Sequence, residues 1–487
     1  MIKNVLCFLS KNKLNIFFII IWFIIAFFTM LNHEVGYWDE LRPISFIKEY
    51  DDFESLLFYI RHDGHPYLWY FVLYPFVKAG FTEFSMQVIS LLFVFASIIL
   101  LFFKSKFNIL LKIFIAFSSG MIYFMGIIPR CYSLIPFFIF LIAIVYPKRI
   151  NHPFLYSFLI IMLSQTHAYV WGFCLICALL FLYEATKEYI KEDKKSRLKL
   201  LILFLVFFLY SFYMIKNYVD ILFFIREQFV YLSEFKSIWA VETFGNTFNI
   251  IVKNAYVFSV KNFQGFIFLI CFILYFIALF KTNKKPCLIF LFSILYFFSF
   301  WFFVYTGGIY YQKLFLCFLF LIFSYWISQK NNIMLFCVNI MFLTIFLNPF
   351  FMNYIKDEVE CKFTNTKEIC RFLKDNNVQY DEVLFLLDGD CMYDDYKFYE
   401  RIYNINKTDY TVFYYNPEVD YEALPTVKKA EETIKNNTKI KYVITTSWII
   451  GHFKNYLELE SGFNYKQCEV INKIYPGGIS YVFKVKR

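Results

Sequence analysis

The sequence predicts a polytopic α-helical membrane protein with a C-terminal α/β domain, as indicated by its composition, its long apolar runs and the placement of its charges. Of the 487 residues, 60% are hydrophobic and only 18% are charged, and the mean hydropathy is +0.53. Soluble globular proteins carry about 25% charged residues, so a bilayer is the expected surrounding for most of the chain. The net charge of +10 comes from short basic clusters between apolar runs. That pattern reflects membrane topology and argues against nucleic acid as a partner.

Eleven apolar runs are long enough to cross a bilayer, for which a helix needs about 20 residues and at least roughly 17. These runs lie near residues 14–31, 84–103, 108–127, 131–147, 150–166, 168–185, 198–215, 264–280, 286–304, 311–327 and 332–350. The first run follows Lys3, Lys11 and Lys13 and has no small-residue cleavage site behind it. It is therefore predicted to be an uncleaved span and not a secretory signal.

The lysines and arginines between these runs fall in alternate connections. They form the clusters Lys104/Lys106, Lys148/Arg149, Lys187 to Lys199, Lys281/Lys284/Lys285 and Lys330. The positive-inside rule makes these connections and the N-terminus cytoplasmic, so the C-terminal segment is predicted to lie outside. The alternation holds only if Pro66–Val77, an apolar segment too short to span, lies in the outer interface. Its expected anchors are Tyr67, Trp69, Tyr70 and Tyr74.

Two further features bear on the organisation of the chain. The outer connection 216–262 contains apolar stretches such as Ile221–Ile225, which leaves room for a re-entrant pair of helices. Cys174 and Cys177 have redox-motif spacing but lie inside an apolar run, so they are predicted to be packed thiols. Whether Cys361, Cys370, Cys391 and Cys468 form disulfides is left open by their spacing.

The composition changes near Phe351, which divides the chain into a membrane domain, 1–351, and an outer α/β domain, 352–487. Helices are predicted at Thr364–Asn376 and Thr426–Asn437, and strands at Glu382–Leu387, Lys441–Ser447 and Ile479–Val485. About 135 residues are enough for such a domain to have its own core.

Ionisable residues are nearly absent from the middle of the apolar runs and gather at their predicted outer ends. Ion-coupled transporters place charged groups at mid-membrane and break their helices there with Gly or Pro, so this class is disfavoured. The outer polar layer is therefore the predicted location of a catalytic site.

The pair Asp39-Glu40 follows the first span directly. A carboxylate at the boundary between water and lipid can accept a proton from a hydroxyl group, with a pKa tuned by partial burial. The same pair also fits a solvated helix start, with Asp39 as the cap and Glu40 in the first turn. Arg130 fits two roles equally well, as an interfacial anchor or, with Tyr132, as a bidentate ligand for a lipid phosphate.

A divalent cation is a possible cofactor, because the outer polar layer contains histidine and carboxylate side chains that can bind metal ions. His62, His65, His167 and Asp39 form a conceivable ligand set, but no metal-ligand spacing supports it. Polar loop residues are the simpler interpretation of the histidines. No Gly-rich phosphate loop indicates a nucleotide site.

Four segments of the chain together resemble the GT-C superfamily of membrane glycosyltransferases. They are Tyr37-Trp38-Asp39-Glu40, Asp63-Gly64-His65-Pro66-Tyr67-Leu68-Trp69-Tyr70, Pro129-Arg130-Cys131-Tyr132-Ser133 and Thr166-His167-Ala168-Tyr169. The chain is similar to the bacterial protein O-mannosyltransferases, the aminoarabinose transferases of lipid A and the lipopolysaccharide-core galacturonosyl transferases. The resemblance covers residues 1–190 through motifs and 286–351 through layout alone.

The resemblance implies an enzyme that moves a sugar from a polyprenyl-phosphate carrier to an acceptor hydroxyl on the outer face, usually with inversion. It implies Asp39 as the general base, with Glu40 as the neighbouring alternative. It implies that Arg130 and Tyr132 hold the carrier phosphate. The acceptor is a glycan, a lipid or a protein, and the enzyme resides in the cell membrane among its lipids.

The remaining site residues follow from the same resemblance. His65 matches the family's His-Pro position, and Arg61, His62 and His167 are further candidates for binding donor or acceptor. Family members carry Arg or His after a Gly-Gly pair near the tenth span, where this chain has Ile309 to Lys313. Lys313 is therefore the expected source of the charge at the phosphate.

Two other classes compete with a glycosyltransferase. A flippase or transporter for lipid-linked glycans needs a polar cavity between its helices, whereas this chain concentrates polarity at one face. An acyl- or phospho-group transferase of the envelope uses a histidine as its base instead of Asp39.

Overall fold

The computed structural model describes residues 12–33, 35, 38–50, 52–60, 66–81, 83–191, 193–230, 263–303, 311–328, 332–346, 366–388, 411–415, 424–446, 457–459 and 480–485. These residues are mostly helical. The chain divides into two compact units, Met1–Phe27 with Phe46–Met352 and Phe28–Ser45 with Asn353–Arg487.

Helices α1 to α14 contain the apolar part of the chain. They are α1 (Lys13–Asn32), α2 (Trp38–Glu49), α3 (Phe53–Ile60), α4 (Leu68–Lys78), α5 (Glu83–Lys104), α6 (Ile109–Ala116), α7 (Leu134–Val145), α8 (Pro153–Ser164), α9 (Trp171–Tyr189), α10 (Lys194–Val230), α11 (Phe263–Thr282), α12 (Lys284–Phe303), α13 (Tyr311–Ile327) and α14 (Asn332–Phe346). A π-helix (Gly120–Ile127) and short 3-10 turns at Cys131–Ser133, Tyr146–Lys148 and Ala168–Val170 lie between them. Each of the eleven predicted spans coincides with a helical segment.

Among the described residues, five helical segments are long and apolar enough to cross a membrane. They are Lys13–Asn32, Glu83–Lys104, Cys131–Lys148, Ala168–Tyr189 and Ser196–Lys216, and a bent pair at Ile109–Ile127 adds a sixth. The chain therefore has the helices of a membrane protein. Other apolar helices are shorter: α8, predicted as a span over 150–166, has only 12 residues. The number of eleven spans stays a prediction.

The predicted span 108–127 is broken, which corrects the expectation of one continuous helix. Helix α6 ends at Ala116, and the π-helix that follows is bent from it by 44°. At the break the Ser118 hydroxyl donates to the carbonyl of Ile115 and accepts from the amide of Met121. A Cβ atom on Gly120 would lie 2.1 Å from the ring of Phe315, so α13 packs where only glycine fits. Serine-to-backbone bonds and glycine are established causes of helix kinks.

Helix α10 also differs from its predicted span, 198–215. It runs without interruption from Lys194 to Val230, which is 37 residues and about 55 Å at 1.5 Å per residue. The hydrocarbon core of a bilayer is about 30 Å thick. The segment 216–230, predicted as part of a connection, is therefore a helical continuation; residues 231–262 lie outside the described part of the chain.

Helix α4 occupies the segment predicted to lie in the outer interface. Three of its four expected aromatic anchors are buried in protein: Tyr67 is 3% exposed, Trp69 2% and Tyr70 1%. Their rings therefore pack inward instead of facing lipid headgroups. Outward-facing rings on this helix are those of Phe71 and Phe76.

A network of charged residues joins α9 and α12 to the turn that precedes α8, at one end of α9. The Arg149 guanidinium donates to Glu184 Oε2 from Nε at 2.6 Å and from Nη2 at 2.5 Å, and Lys285 pairs with Glu184 Oε1. The guanidinium also lies 3.8 Å from the ring centroid of Tyr146. The charge pattern assigned three connections to one membrane face. Residues in or next to those connections, Arg149, Glu184 and Lys285, are in contact in the structure.

The second unit contains a five-stranded mixed sheet. Its strands are β1 (Val383–Asp388), β2 (Thr411–Tyr415), β3 (Tyr442–Thr446), β4 (Leu457–Leu459) and β5 (Ser480–Val485), in the order β2-β1-β3-β5-β4. Strand β1 pairs in parallel with β2 and β3, and β5 pairs antiparallel with β3 and β4. Four consecutive residues of β1, 383–386, are buried, so both faces of the sheet are covered there, as is usual for parallel strands.

Two helices accompany this sheet, α15 (Thr366–Asp375) and α16 (Leu424–Asn436). The apolar side of α15 buries Ile369, Cys370 and Leu373, and α16 buries Ala430 and Ile434. Both helices and strands β1, β3 and β5 lie within two residues of their predicted bounds. Strands β2 and β4 were not predicted.

Candidate functional site

A buried hydrogen bond joins two of the residues that the outer motifs singled out. Tyr132 Oη and His167 Nε2 lie 3.0 Å apart, and their rings stack with centroids 4.7 Å apart. Tyr132 is fully buried and His167 is 5% exposed. Residues 35 positions apart in sequence are therefore held together by both an aromatic and a polar contact.

The second ring nitrogen of His167 fixes which partner donates. His167 Nδ1 accepts a hydrogen bond of 3.1 Å from the backbone N–H of Tyr169. In a neutral imidazole one nitrogen accepts and the other carries the proton. Nε2 therefore carries the proton and donates it to Tyr132 Oη. The Tyr132 hydroxyl keeps its own proton for an acceptor elsewhere.

The stacking continues from His167 to Tyr169, whose ring centroids lie 5.1 Å apart. Tyr132, His167 and Tyr169 together form what we call the aromatic column. A cation lies over the ring at each end of this column. The guanidinium carbon of Arg130 is 5.3 Å from the Tyr132 centroid, and Lys313 Nζ is 5.6 Å from the Tyr169 centroid. Such contacts contribute about 0.5–2 kcal/mol each.

The two cations differ in exposure. Lys313 is 4% exposed, whereas Arg130 is only half-buried. Arg130 also starts the 3-10 turn at Cys131–Ser133, and its carbonyl accepts from the Ser133 hydroxyl at 3.0 Å. Arg130 is thus the more exposed of the two cations, and the column beneath it is packed in protein.

Close packing fixes the turn that carries His167. A Cβ atom on Gly172 would lie 2.2 Å from Tyr296 Cγ, so α9 and α12 touch where only glycine fits. The Tyr296 hydroxyl donates to the carbonyl of Ala168 at 3.3 Å. The amide of Leu68, the first residue of α4, donates to the carbonyl of Gln165 at 3.2 Å. Helices α4, α9 and α12 therefore meet at this turn.

A second polar pair lies in the other unit, around the acidic motif. Glu40 Oε2 is 3.2 Å from His33 Nε2, and the two side chains are 2% and 1% exposed. Glu40 is the third residue of α2, and Asp39 precedes it in the same first turn. Asp39 was expected to be the N-cap of this helix. Helix α2 begins at Trp38, so Asp39 is its second residue and not its cap.

The structure brings together four predicted site residues, Arg130, Tyr132, His167 and Lys313. The side chain of Asp39 and all of Arg61, His62 and His65 lie outside the described part of the chain. Within the described part, no group of three potential ligands could hold a metal ion. Three of the four proposed metal ligands fall outside that part, so a cation there stays untested.

Sequence reasoning missed two members of these sites. Tyr169 links His167 to Lys313, and its place in the Thr166 to Tyr169 motif was the available signal. His33 pairs with Glu40 from seven residues upstream, a contact that no local sequence pattern predicts.

Comparison of the chain with protein-family models, with characterised proteins and with solved structures found no match.

The bonds of His167 make a testable prediction. His167→Asn keeps a side-chain acceptor for the Tyr169 amide, as helix-cap residues do, but is too short to reach Tyr132. We expect it to lower the Tm of the purified protein less than His167→Ala does. Tyr132→Phe deletes the same hydroxyl bond, so combining it with His167→Asn should add little to either single change. Fully additive losses would contradict the shared bond.

Proposed function

We propose that this chain is a membrane glycosyltransferase that moves a sugar from a polyprenyl-phosphate donor to an acceptor hydroxyl. The observation that carries the proposal is the half-buried Arg130 held over the aromatic column, with a second cation, Lys313, at the far end of that column. The four motifs that resemble the GT-C superfamily supply the reaction class.

Arg130 has the properties that a phosphate site needs. A guanidinium offers two parallel N–H donors to a phosphate and keeps its charge at any physiological pH. Partial burial strengthens its electrostatic interaction with a ligand. A lipid phosphate leaving the sugar gains negative charge in the transition state, so a fixed cation there accelerates transfer.

The base is assigned to Asp39. Glu40, the alternative, is buried and paired with His33, which commits one of its oxygens to a structural contact. Asp39 lies in the same first turn of α2, seven residues after the first apolar helix ends at Asn32. In the proposed reaction Asp39 accepts the proton of the acceptor hydroxyl, the hydroxyl oxygen bonds to the anomeric carbon, and the phosphate leaves on the lipid with the bonding electrons.

The proposal includes a topology of eleven spans, a cytoplasmic N-terminus, and an outer α/β domain at 352–487. The network of Arg149, Glu184 and Lys285 supports the proposed topology of the spans, because it gathers predicted cytoplasmic connections at one end of α9. The turn of His167 lies at the other end of α9. Trp171 and Glu184 are separated by about 20 Å along the helix axis, so the turn and the charged network lie well apart.

The His33–Glu40 pair favours a second candidate, an envelope acyl- or phospho-group transferase. An imidazole oriented by a carboxylate is the usual base of such enzymes. The two candidates differ in the residue whose loss stops the reaction, so one set of variants separates them.

Asp39→Asn should reduce sugar transfer by at least about 10²-fold, because it removes the proton acceptor, while expression and Tm stay unchanged. Glu40→Gln should lower the Tm, because it weakens a buried pair. The readout is product formation by mass together with thermal unfolding. Asp375→Asn, at an exposed position at the end of α15, is the control. Full activity in Asp39→Asn with loss in His33→Gln would favour the second candidate.

Arg130→Ala should raise the KM for the lipid-linked donor about tenfold or more, because a charge-assisted bidentate contact is lost. Arg130→Lys should recover only part of the loss, since an ammonium lacks the planar fork. Steady-state kinetics with varied donor measure this. Lys187→Ala is the matched control, since its ammonium also lies over a tyrosine ring, Tyr183, at 4.4 Å. A donor KM that Arg130→Ala leaves unchanged would remove the phosphate role.

A further inference from the structure

Trp69 carries a buried donor that the protein does not use. Its side chain is 2% exposed, and its indole nitrogen has no hydrogen-bond partner among the residues that the structure describes. Two other buried or half-buried indoles are satisfied: Trp22 Nε1 donates to the carbonyl of Ala116 at 2.7 Å, and Trp171 Nε1 donates to that of Ser164 at 2.8 Å. Trp69 differs from these two tryptophans in having no acceptor for its indole N–H within the described part of the chain.

An unmade bond of this kind has a cost. Buried indole N–H groups usually find an acceptor, because leaving one unsatisfied is energetically unfavourable. An indole nitrogen donates and never accepts. The missing partner is therefore an acceptor atom that reaches a position closed to bulk solvent.

A backbone hydrogen bond joins the start of α4, where Trp69 lies, to the turn that carries His167. Leu68 donates its amide to the carbonyl of Gln165. Trp69 follows Leu68 directly in the chain, and His167 lies two residues after Gln165. The unused donor thus lies at the start of the helix whose first amide bonds to the turn that carries His167.

The groups at this turn define the chemistry of the missing partner. Arg130 and Lys313 are cations, and the Tyr132 hydroxyl donates its own proton once His167 has donated to it. A sugar hydroxyl bound among such groups would itself need an acceptor for its proton. A phosphate brings acceptors alone, and its charge suits the two cations.

We propose that Trp69 is a substrate-binding residue whose indole N–H donates to a phosphate oxygen of the lipid-linked donor, an inference that rests on the function proposed above. Trp69 was expected to anchor α4 at the membrane interface, and its burial removes that role. In this assignment Arg130 supplies charge to the phosphate, and Trp69 supplies a neutral donor that fixes the orientation of the phosphate.

The test compares two tryptophan variants. Trp69→Phe removes an unused N–H, so the Tm of the ligand-free protein should stay equal or rise, while affinity for a short-chain polyprenyl phosphate should fall about tenfold. Trp22→Phe removes a satisfied N–H, so its Tm should fall while affinity stays unchanged. Ligand-dependent Tm shifts of the purified full chain in nanodiscs give both quantities. If Trp69→Phe does not fold, benzothienylalanine at position 69 deletes only the N–H.

Three probes separate the outcomes. Polyprenyl phosphate should stabilise the wild type more than polyprenol does, and inorganic phosphate should compete with it only weakly, since the lipid tail adds affinity. Equal affinity of wild type and Trp69→Phe for polyprenyl phosphate would overturn the role of Trp69 alone. An equal loss for polyprenol would also overturn it, because the N–H would then not bind phosphate. No binding of polyprenyl phosphate by the wild type would overturn the proposed function as well.

Discussion

The hydrogen bond between Tyr132 and His167 is the interaction on which the arrangement of this polar cluster depends. Apolar surroundings offer no water to satisfy a polar side chain, so each such group must find its partner inside the protein. His167 resolves this by accepting from its own turn and donating to Tyr132. The bond ties the 3-10 turn at Cys131–Ser133 to the turn between α8 and α9. Arg130 then rests on a ring that cannot move independently.

Much of this architecture follows from simple properties of the sequence. Apolar length and alternating basic clusters are sufficient to predict the helical segments, because each signal is local. The α/β elements at α15, α16, β1, β3 and β5 carry regular hydrophobic patterns and are predicted to within two residues. Strand β4 has three residues, too few for any periodicity.

The departures have physical causes that lie far away in sequence. The break after Ala116 depends on Phe315 packing against Gly120, and a window of 20 apolar residues cannot report a contact 195 positions away. The extension of α10 past residue 216 was obscured by Lys216, Asn217 and Asp220, which read as a connection. For the candidate site, motifs alone predicted Arg130, Tyr132, His167 and Lys313. Their contacts through Tyr169 depend on tertiary packing, which the sequence motifs do not encode.

The two carboxylates of the acidic motif are neighbours in sequence but have different roles in this account. Glu40 is buried against His33, which makes it part of the structure around α2. We propose Asp39 as the carboxylate for chemistry, which is the base that the GT-C resemblance implies. The proposal for Trp69 concerns binding in the same way, because its buried indole N–H has no acceptor among the described residues.

The most direct measurement incubates the purified wild-type chain with a panel of polyprenyl-phosphate sugars and envelope acceptors, and reads all products by mass. The account predicts that one pair yields an acceptor heavier by one sugar residue, together with an equal amount of polyprenyl phosphate. Intact donor in every combination, alongside movement of the lipid-linked sugar across the bilayer of a proteoliposome, would contradict it and identify a transporter.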